Sequence, residues 1–437
     1  MLYSPYILPL SVLCSRKLVA VRTAERLETL YLDFDGFFAS VMQQAIPRLR
    51  GRPVGVIPFD TEAVTSMTVI ACSREAKRHG VKNVMRVPEA RQLCPDLVLV
   101  PQRPDLFRRA HLALMNEIEC EIPIDAVMSI DELTCTLDTA ASMDPRGLAR
   151  RIKQRLRHNL GQYITCSIGF AANRLLAKIA CKVNKPDGVT IWPPGDMPGP
   201  LFDQPLSAIS GVGPRMEKRL ARRGIVTMAG LWNTQPRQLR AIWGNVHGER
   251  MWYALHGYVL QAEPVRRSLY GHGRVLPPEW RDLEKARGCS RLLLVKAARR
   301  MRRDGFYARR LFLWINGYDD GWGGECALAS VHDDHACLAG LETLWVRARA
   351  SLPPSYKIIR CGVTLYDLTP DNARQTGLFE QDDAERRKWE RLTAAMDELN
   401  LSHGRRVVTL GAWTPPPGGY AGGKIAYTRI PSAEDFL

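Results

Sequence analysis

Short runs of apolar and β-branched residues, separated by polar stretches, dominate the first 190 positions of the chain. Residues 27–33 (LETLYLD) predict a largely buried strand that runs into acidic residues. Residues 54–58 and 68–72 predict two more strands with a polar stretch between them. A helix is predicted over 75–79, where Gly80 stops it. Residues 127–137 (VMSIDELTCTL) alternate as a strand does, with Asp131 and Glu132 in the middle. A strongly basic amphipathic helix over 146–160, a strand over 165–170 and a helix over 173–183 follow. Strands and helices mix without a strict strand–helix–strand repeat, so the class is α+β.

Residues 192–205 hold five prolines and two glycines and mark a boundary. Residues 206–258 predict a small helical region with a Gly-Val-Gly turn, and 261–278 a second linker. A long basic helix, strands over 307–314 and 325–330, another helix and a strand over 357–368 then make an α+β unit of their own. From Thr369 onward the chain reads as a tail, acidic first and then rich in Pro and Gly. The 437 residues accommodate roughly three domains.

Composition narrows the function classes. The net charge of +16 favours polyanionic partners. No stretch reaches the roughly 20 apolar residues that span a bilayer. The first 20 residues carry Pro5, Pro9, Arg16 and Lys17 without a basic region ahead of an apolar run, which predicts an extended or mis-assigned start rather than a signal peptide. The 11 cysteines contain no C-x-x-C pair, which fits reduced thiols in a cytoplasm. His332, His335 and Cys337 in VHDDHAC lack a second ligand pair and read as a polar turn before a helix.

Asp33 and Asp35 sit in YLDFDGFF at the end of the first strand, where alternation would give them one face. Asp131 and Glu132 sit in SIDE on a later strand. On adjacent strands these acids would make an oxygen-rich site of the kind Mg²⁺ prefers, and a metal pair clamps the attacking and leaving oxygens of a phosphoryl displacement. Taken alone, an Asp-x-Asp fits a solvated strand end better than a metal site. A second constellation, Lys178 on the 173–183 helix with Arg74 and Lys77 after an earlier strand, supplies cations of the kind a triphosphate needs.

At these residues the chain resembles the Y-family DNA polymerases, the translesion enzymes. Four blocks stand in the family's order: LDFDGFFASV (32–41), VIACSREAKRHGVK (69–82), SIDE (129–132) and SIGFAANRLLAKIACKVNKPDG (167–188). A fifth, SAISGVGPRMEKRLARRGI (207–225), resembles the family's helix-hairpin-helix. The last third matches less closely; LYDLTPDNARQTGLFE and YTRI look most like the polymerase V catalytic-subunit branch.

The resemblance implies an α+β right hand. Its parts would be an N-terminal extension (1–26), palm (27–36 and 100–192), fingers (37–99), thumb (193–260), linker (261–278), little finger (279–368) and C-terminal tail (369–437). It implies template-directed, low-fidelity synthesis past lesions during DNA repair and the SOS response, with two Mg²⁺ ions, or Mn²⁺ in their place. Asp33, Asp131 and Glu132 would ligate the metals, and Phe34 would add a backbone carbonyl. Phe37 and Phe38 would lie against the nucleotide, with Phe38 as the steric gate against a 2′-hydroxyl. Arg74, Lys77 and Lys178 would bind the triphosphate. Arg74 stands where the polymerase IV branch has Tyr, Lys77 where it has Arg, and Gly36 where a bulkier residue is common; Lys cannot copy the bidentate fork of Arg.

For DNA, Gly211 and Gly213 form a tight turn at a helix start, whose N–H groups suit a phosphate, followed by Arg215 and Lys218. Residues 281–310 hold eleven basic and three acidic side chains, half of the chain's net charge, including Arg309 and Arg310. Gln375, Leu378 and Phe379 resemble a sliding-clamp-binding peptide. The expected partners are primer–template DNA, deoxynucleoside triphosphates, a sliding clamp and accessory mutagenesis subunits, with no membrane, in a bacterial cytoplasm at the nucleoid. The competing expectation is a non-catalytic relative that serves as an adaptor for DNA and clamp, but an adaptor has no need of Asp33, Asp131, Glu132 and Lys178 together.

Overall fold

The computed structural model describes residues 21–58, 67–260, 267–318, 320–373 and 383–411. The chain divides into two compact units, Met1–Arg50 with Ala113–Pro264, and Gly51–Leu112 with Val265–Leu437.

The first unit is built on a five-stranded sheet in the order Val189–Ile191, Cys166–Ala171, Thr29–Phe34, Glu132–Thr136, Ala126–Val127. Only the first pair is parallel. Its middle strands are buried on both faces; all six residues of Cys166–Ala171 are inaccessible. Alternation along Thr29–Phe34 puts Leu30, Leu32 and Phe34 on one face and Tyr31 and Asp33 on the other. The helix Arg174–Val183 packs on the Tyr31 face. It can do so because Gly169, the cross-strand partner of Tyr31, has no side chain: a Cβ there would lie 2.2 Å from the Ala177 carbonyl oxygen. The same core continues into the helices Gly199–Phe202, Pro214–Ala221, Met228–Trp232, Pro236–Trp243 and Val246–Leu255.

The second unit has a small part and a large one. In the small part Val54–Ile57 is the centre of a three-stranded sheet between Ala71–Cys72 and Val98–Pro101, with the helices Arg74–Arg78 and Val87–Leu93 around a core of Val69, Cys72, Ala76 and Val87. In the large part an antiparallel sheet runs Leu269–Val275, Arg360–Pro370, Phe306–Asn316, Gly321–Val331. Helices Leu283–Arg303 and Asp334–Ser351 cover one face around Leu311, Leu313, Ile315, Val363 and Trp345. Asp333 caps the second helix, accepting from the Ala336 N–H. In VHDDHAC, His332 stacks on Tyr307, His335 stacks on Trp389 and Cys337 is buried. The architecture is α+β, as expected. Among the described residues no helix is long and apolar enough to cross a membrane, and the cysteines are free thiols.

Four expectations need correction. Val21–Thr23, placed in the extension, is a strand paired with Tyr258–Leu260. Leu269–Val275, placed in the linker, is a sheet strand; its two glycines hide the apolar alternation because the Trp314 ring lies against Gly273. The tail contains the helix Asp383–Ser402, tied to Leu283–Arg303 by the buried Arg302, which pairs with Asp334 and Asp397 at 2.7 Å each. The stretch 127–137 is not one strand but a hairpin, Ala126–Val127 against Glu132–Thr136, closed by the Met128 N–H donating to the Glu132 carbonyl at 2.8 Å.

Candidate active site

That hairpin puts SIDE at a tight turn instead of mid-strand. Consecutive residues of a continuous strand face opposite ways, whereas Asp131 at the turn is free of that alternation. Glu132 begins the strand directly across from Asp33. The Phe34 N–H donates to the Asp131 carbonyl at 2.8 Å, so the turn is bonded to the end of the central strand. Three acids from two distant segments thus meet at one sheet end. Phe34 itself is buried beneath them.

Their surroundings are costly for charge. Burial pushes the Asp33 pKa up to about 6; Lys185 pulls it back, while Asp131 and Glu132 raise it further. Burial also raises Asp131, against the hydroxyl of Ser129, which donates to its carboxylate at 2.5 Å. Two lysines answer these charges. Lys178 lies 2.8 Å from Glu132 and donates to the Tyr31 hydroxyl at 2.9 Å. Lys185 pairs with Asp33, and this more than offsets the lowering that burial imposes on the Lys185 ammonium. Both lysines are carried by the helix Arg174–Val183 and the turn after it. Asn173 caps that helix, accepting from the Leu176 N–H and donating to the carbonyls of Ala254 and Tyr258.

Among the described residues no three carboxylate, imidazole or thiol groups converge closely enough to hold an ion as they stand. Asp33 and Glu132 are engaged by ammonium groups instead. The donor set nonetheless fits a divalent cation: hard carboxylate oxygens, among them the buried Asp33 and Asp131, whose raised pKa values a bound cation would relieve.

Asp35 has a different job from Asp33. The strand ends at Phe34, so the two do not share a strand face as the alternation predicted. The Asp35 carboxylate accepts from Thr165 Oγ1 at 3.0 Å, Ser167 Oγ at 2.8 Å and the Asp187 N–H at 2.8 Å. It thereby anchors the turn that follows Lys185. Gly36 then takes a left-handed conformation (φ 57°) and starts the helix Phe37–Ala45, which lies in the first unit although the alignment of parts put it in the fingers. Phe37 is buried; Phe38 is half-buried, edge-on to Phe37 with ring centres 5.6 Å apart.

The other expected residues are on other elements. Arg74 and Lys77 are on the helix Arg74–Arg78 of the second unit, whose first turn is capped by Ser73. In the first unit Val212 is buried as an anchor, while Gly211 (φ 95°) and Gly213 are exposed, with nothing within 4 Å of where a Cβ would stand. Arg215 and Lys218 project from the exposed side of the helix that begins there. Arg309 and Arg310 are both exposed at an irregularity of the second unit's large sheet, with Arg310 2.8 Å from Glu325. Gln375, Leu378 and Phe379 lie outside the described residues. Sequence reasoning missed Lys185 as a site residue, although it stands inside the 167–188 block; the signal was a lysine just past the end of a helix already carrying Lys178.

Comparison with known proteins agrees with this arrangement. Residues 32–182 match the impB/mucB/samB family and residues 267–378 match the impB/mucB/samB family C-terminal domain. A DNA polymerase IV of Moorella thermoacetica is 34% identical over 394 residues, 87% of this chain and 94% of that protein. A DNA polymerase IV of Pelotomaculum thermopropionicum is 29% identical, covering 90% of this chain and 97% of its own length. Among solved structures, a Y-family DNA polymerase chimera of Dbh and Dpo4 matches with a TM-score of 0.64 at 24% identity, over 78% of this chain and 99% of that one, which is a likeness of fold. By these matches the chain belongs to the impB/mucB/samB family of Y-family translesion polymerases and is a DNA-directed DNA polymerase.

Proposed function

We propose that the chain extends primers across damaged templates by two-metal nucleotidyl transfer, with Asp33, Asp131, Glu132 and the Phe34 carbonyl holding a pair of Mg²⁺ ions, Mn²⁺ being able to replace them. Such ions supply Lewis-acid stabilisation of the attacking and leaving oxygens. The chain's own residues do the rest. Lys178 and Lys185 change partners from Glu132 and Asp33 to the incoming triphosphate, helped by Arg74 and Lys77. Phe37 and Phe38 lie against the sugar, and the Phe38 ring excludes a 2′-hydroxyl by shape. Asp35 holds the Asp187 turn so that Lys185 stays in reach.

Primer–template DNA is gripped through its phosphates by the Gly211–Gly213 turn with Arg215 and Lys218, and by Arg309 and Arg310. Gln375, Leu378 and Phe379 engage a sliding clamp, and accessory mutagenesis subunits join during damage tolerance at a bacterial nucleoid. The observation that carries the reading is the cross-strand pair Asp33 and Glu132, with Asp131 at its side and a lysine facing each member of the pair. Primer extension with all four deoxynucleotides tests it. Asp131→Ala with Glu132→Ala should lose activity by several orders of magnitude while keeping DNA affinity; equal extension by wild type and double variant would leave only an adaptor.

A further inference from the structure

The helix Arg174–Val183 carries a further lysine, Lys182, that neither ion pair uses. Lys178 and Lys182 are four residues apart and therefore stand one above the other on one face. The core-facing positions are Leu176, Ala177, Ile179, Ala180 and Cys181. Lys185 follows at the turn and meets Asp33. Lys182 lies between these two lysines in the sequence, exposed, and has no hydrogen-bond or ion-pair partner among the described residues. It is nevertheless inside the same field. Desolvation and the Lys178 charge lower its pKa, and Glu132 and Asp33 act against that lowering.

Like charges at this helical spacing work against the helix unless something anionic stands near them. Glu132 and Asp33 are already taken by Lys178 and Lys185. When those acids are engaged as in the function proposed above, on which this inference rests, three ammonium groups are left on one wall of the site. A polyphosphate is the anion with enough charge to meet all three.

We propose that Lys182 is a third triphosphate-binding cation, setting the affinity for the incoming nucleotide beside Lys178 and Lys185. Its position on the helix puts it in the row that binds, not with the groups that touch the reacting oxygens. Removing it should therefore weaken nucleotide binding and leave the chemical step nearly as it was.

The test uses the full chain on a primer–template whose primer ends in a dideoxynucleotide, so that dNTP binding is read without turnover, together with steady-state extension on an ordinary primer. Lys182→Gln should weaken dNTP binding and raise KM by roughly five-fold, with kcat little changed. It should also flatten the salt dependence of dNTP binding, and Lys182→Arg should restore most of both. Wild-type nucleotide affinity and salt dependence in Lys182→Gln would overturn the proposal. So would a matching loss of DNA affinity, which would make Lys182 a DNA contact, or a lowered melting temperature that Lys182→Arg does not restore, which would make it structural. A wild-type chain that fails to extend any primer would instead remove the polymerase mechanism proposed above.

Discussion

Replacing Asp33 by Asn in metal-free buffer probes the electrostatic strain at the site directly. Burial, followed by the charges of Asp131 and Glu132, holds the Asp33 pKa at about 6 rather than 3.8, in spite of Lys185. An acid with a higher pKa in the folded chain binds more protons there than in the unfolded chain. Its contribution to stability is therefore complete below about pH 4, declines as the pH rises, and is gone above about pH 6. The displacement corresponds to on the order of 3 kcal/mol. The unfolding free energy of wild type minus that of Asp33→Asn, from urea titrations with a chelator present, should fall by about that amount between about pH 4 and pH 7, with about half of the fall above pH 5. If the ionised acid takes Mg²⁺ as proposed, adding the ion at neutral pH should recover stability in wild type but not in Asp33→Asn. Lys185→Met should move the fall to higher pH, because the cation that favours ionisation is gone. A difference curve that is flat, or that rises with pH, would refute the idea that Asp33 is held ionised against its surroundings.

Two further outcomes follow from the same geometry. Arg215→Ala with Lys218→Ala, on the exposed helix after the Gly211–Gly213 turn, should weaken DNA binding evenly across sequences and reduce the slope of log affinity against log salt by about 2, read by fluorescence anisotropy. Arg302→Ala strands Asp334, which is almost fully buried, and Asp397, and should cost about 3–5 kcal/mol of stability in the second unit without altering nucleotide affinity in the protein that remains folded.

Much of this was legible in the residues, and the exceptions have physical reasons. The meeting of Asp33 with Glu132 follows from two buried strands lying side by side, which their apolar runs announce. The SIDE turn does not, because MSID keeps the apolar alternation of a strand while its backbone reverses. Asp35 reads as a second metal acid by spacing; only the hydroxyls of Thr165 and Ser167 and the Asp187 N–H reveal that its lone pairs are spent holding a turn. Leu269–Val275 was hidden by Gly271 and Gly273, residues that weaken strand preference. The helix Asp383–Ser402 was hidden by charge, although Trp389, Leu392, Met396 and Leu399 recur at helical spacing within it.

The distance between acids and cations is fixed by one contact that carries no charge. The acids are mounted on strand ends and the lysines on a helix, so the gap between strand and helix decides whether Lys178 can bridge Glu132 and Tyr31 while Lys185 reaches Asp33. Gly169 sets that gap. It is paired with Tyr31 in the sheet, and the backbone of Ala177 and Cys181 rests where its side chain would be. Any larger residue would lift the helix by the thickness of a methyl group or more, taking Lys178, Lys182 and Lys185 away together. Asp33 and Glu132 would then lose both counter-charges at once, at a site where burial already makes the ionisation of Asp33 and Asp131 costly. A glycine in the middle of a fully buried strand weakens the strand by itself; here that weakness is what lets Asp33 and Glu132 keep Lys185 and Lys178 within ion-pair reach.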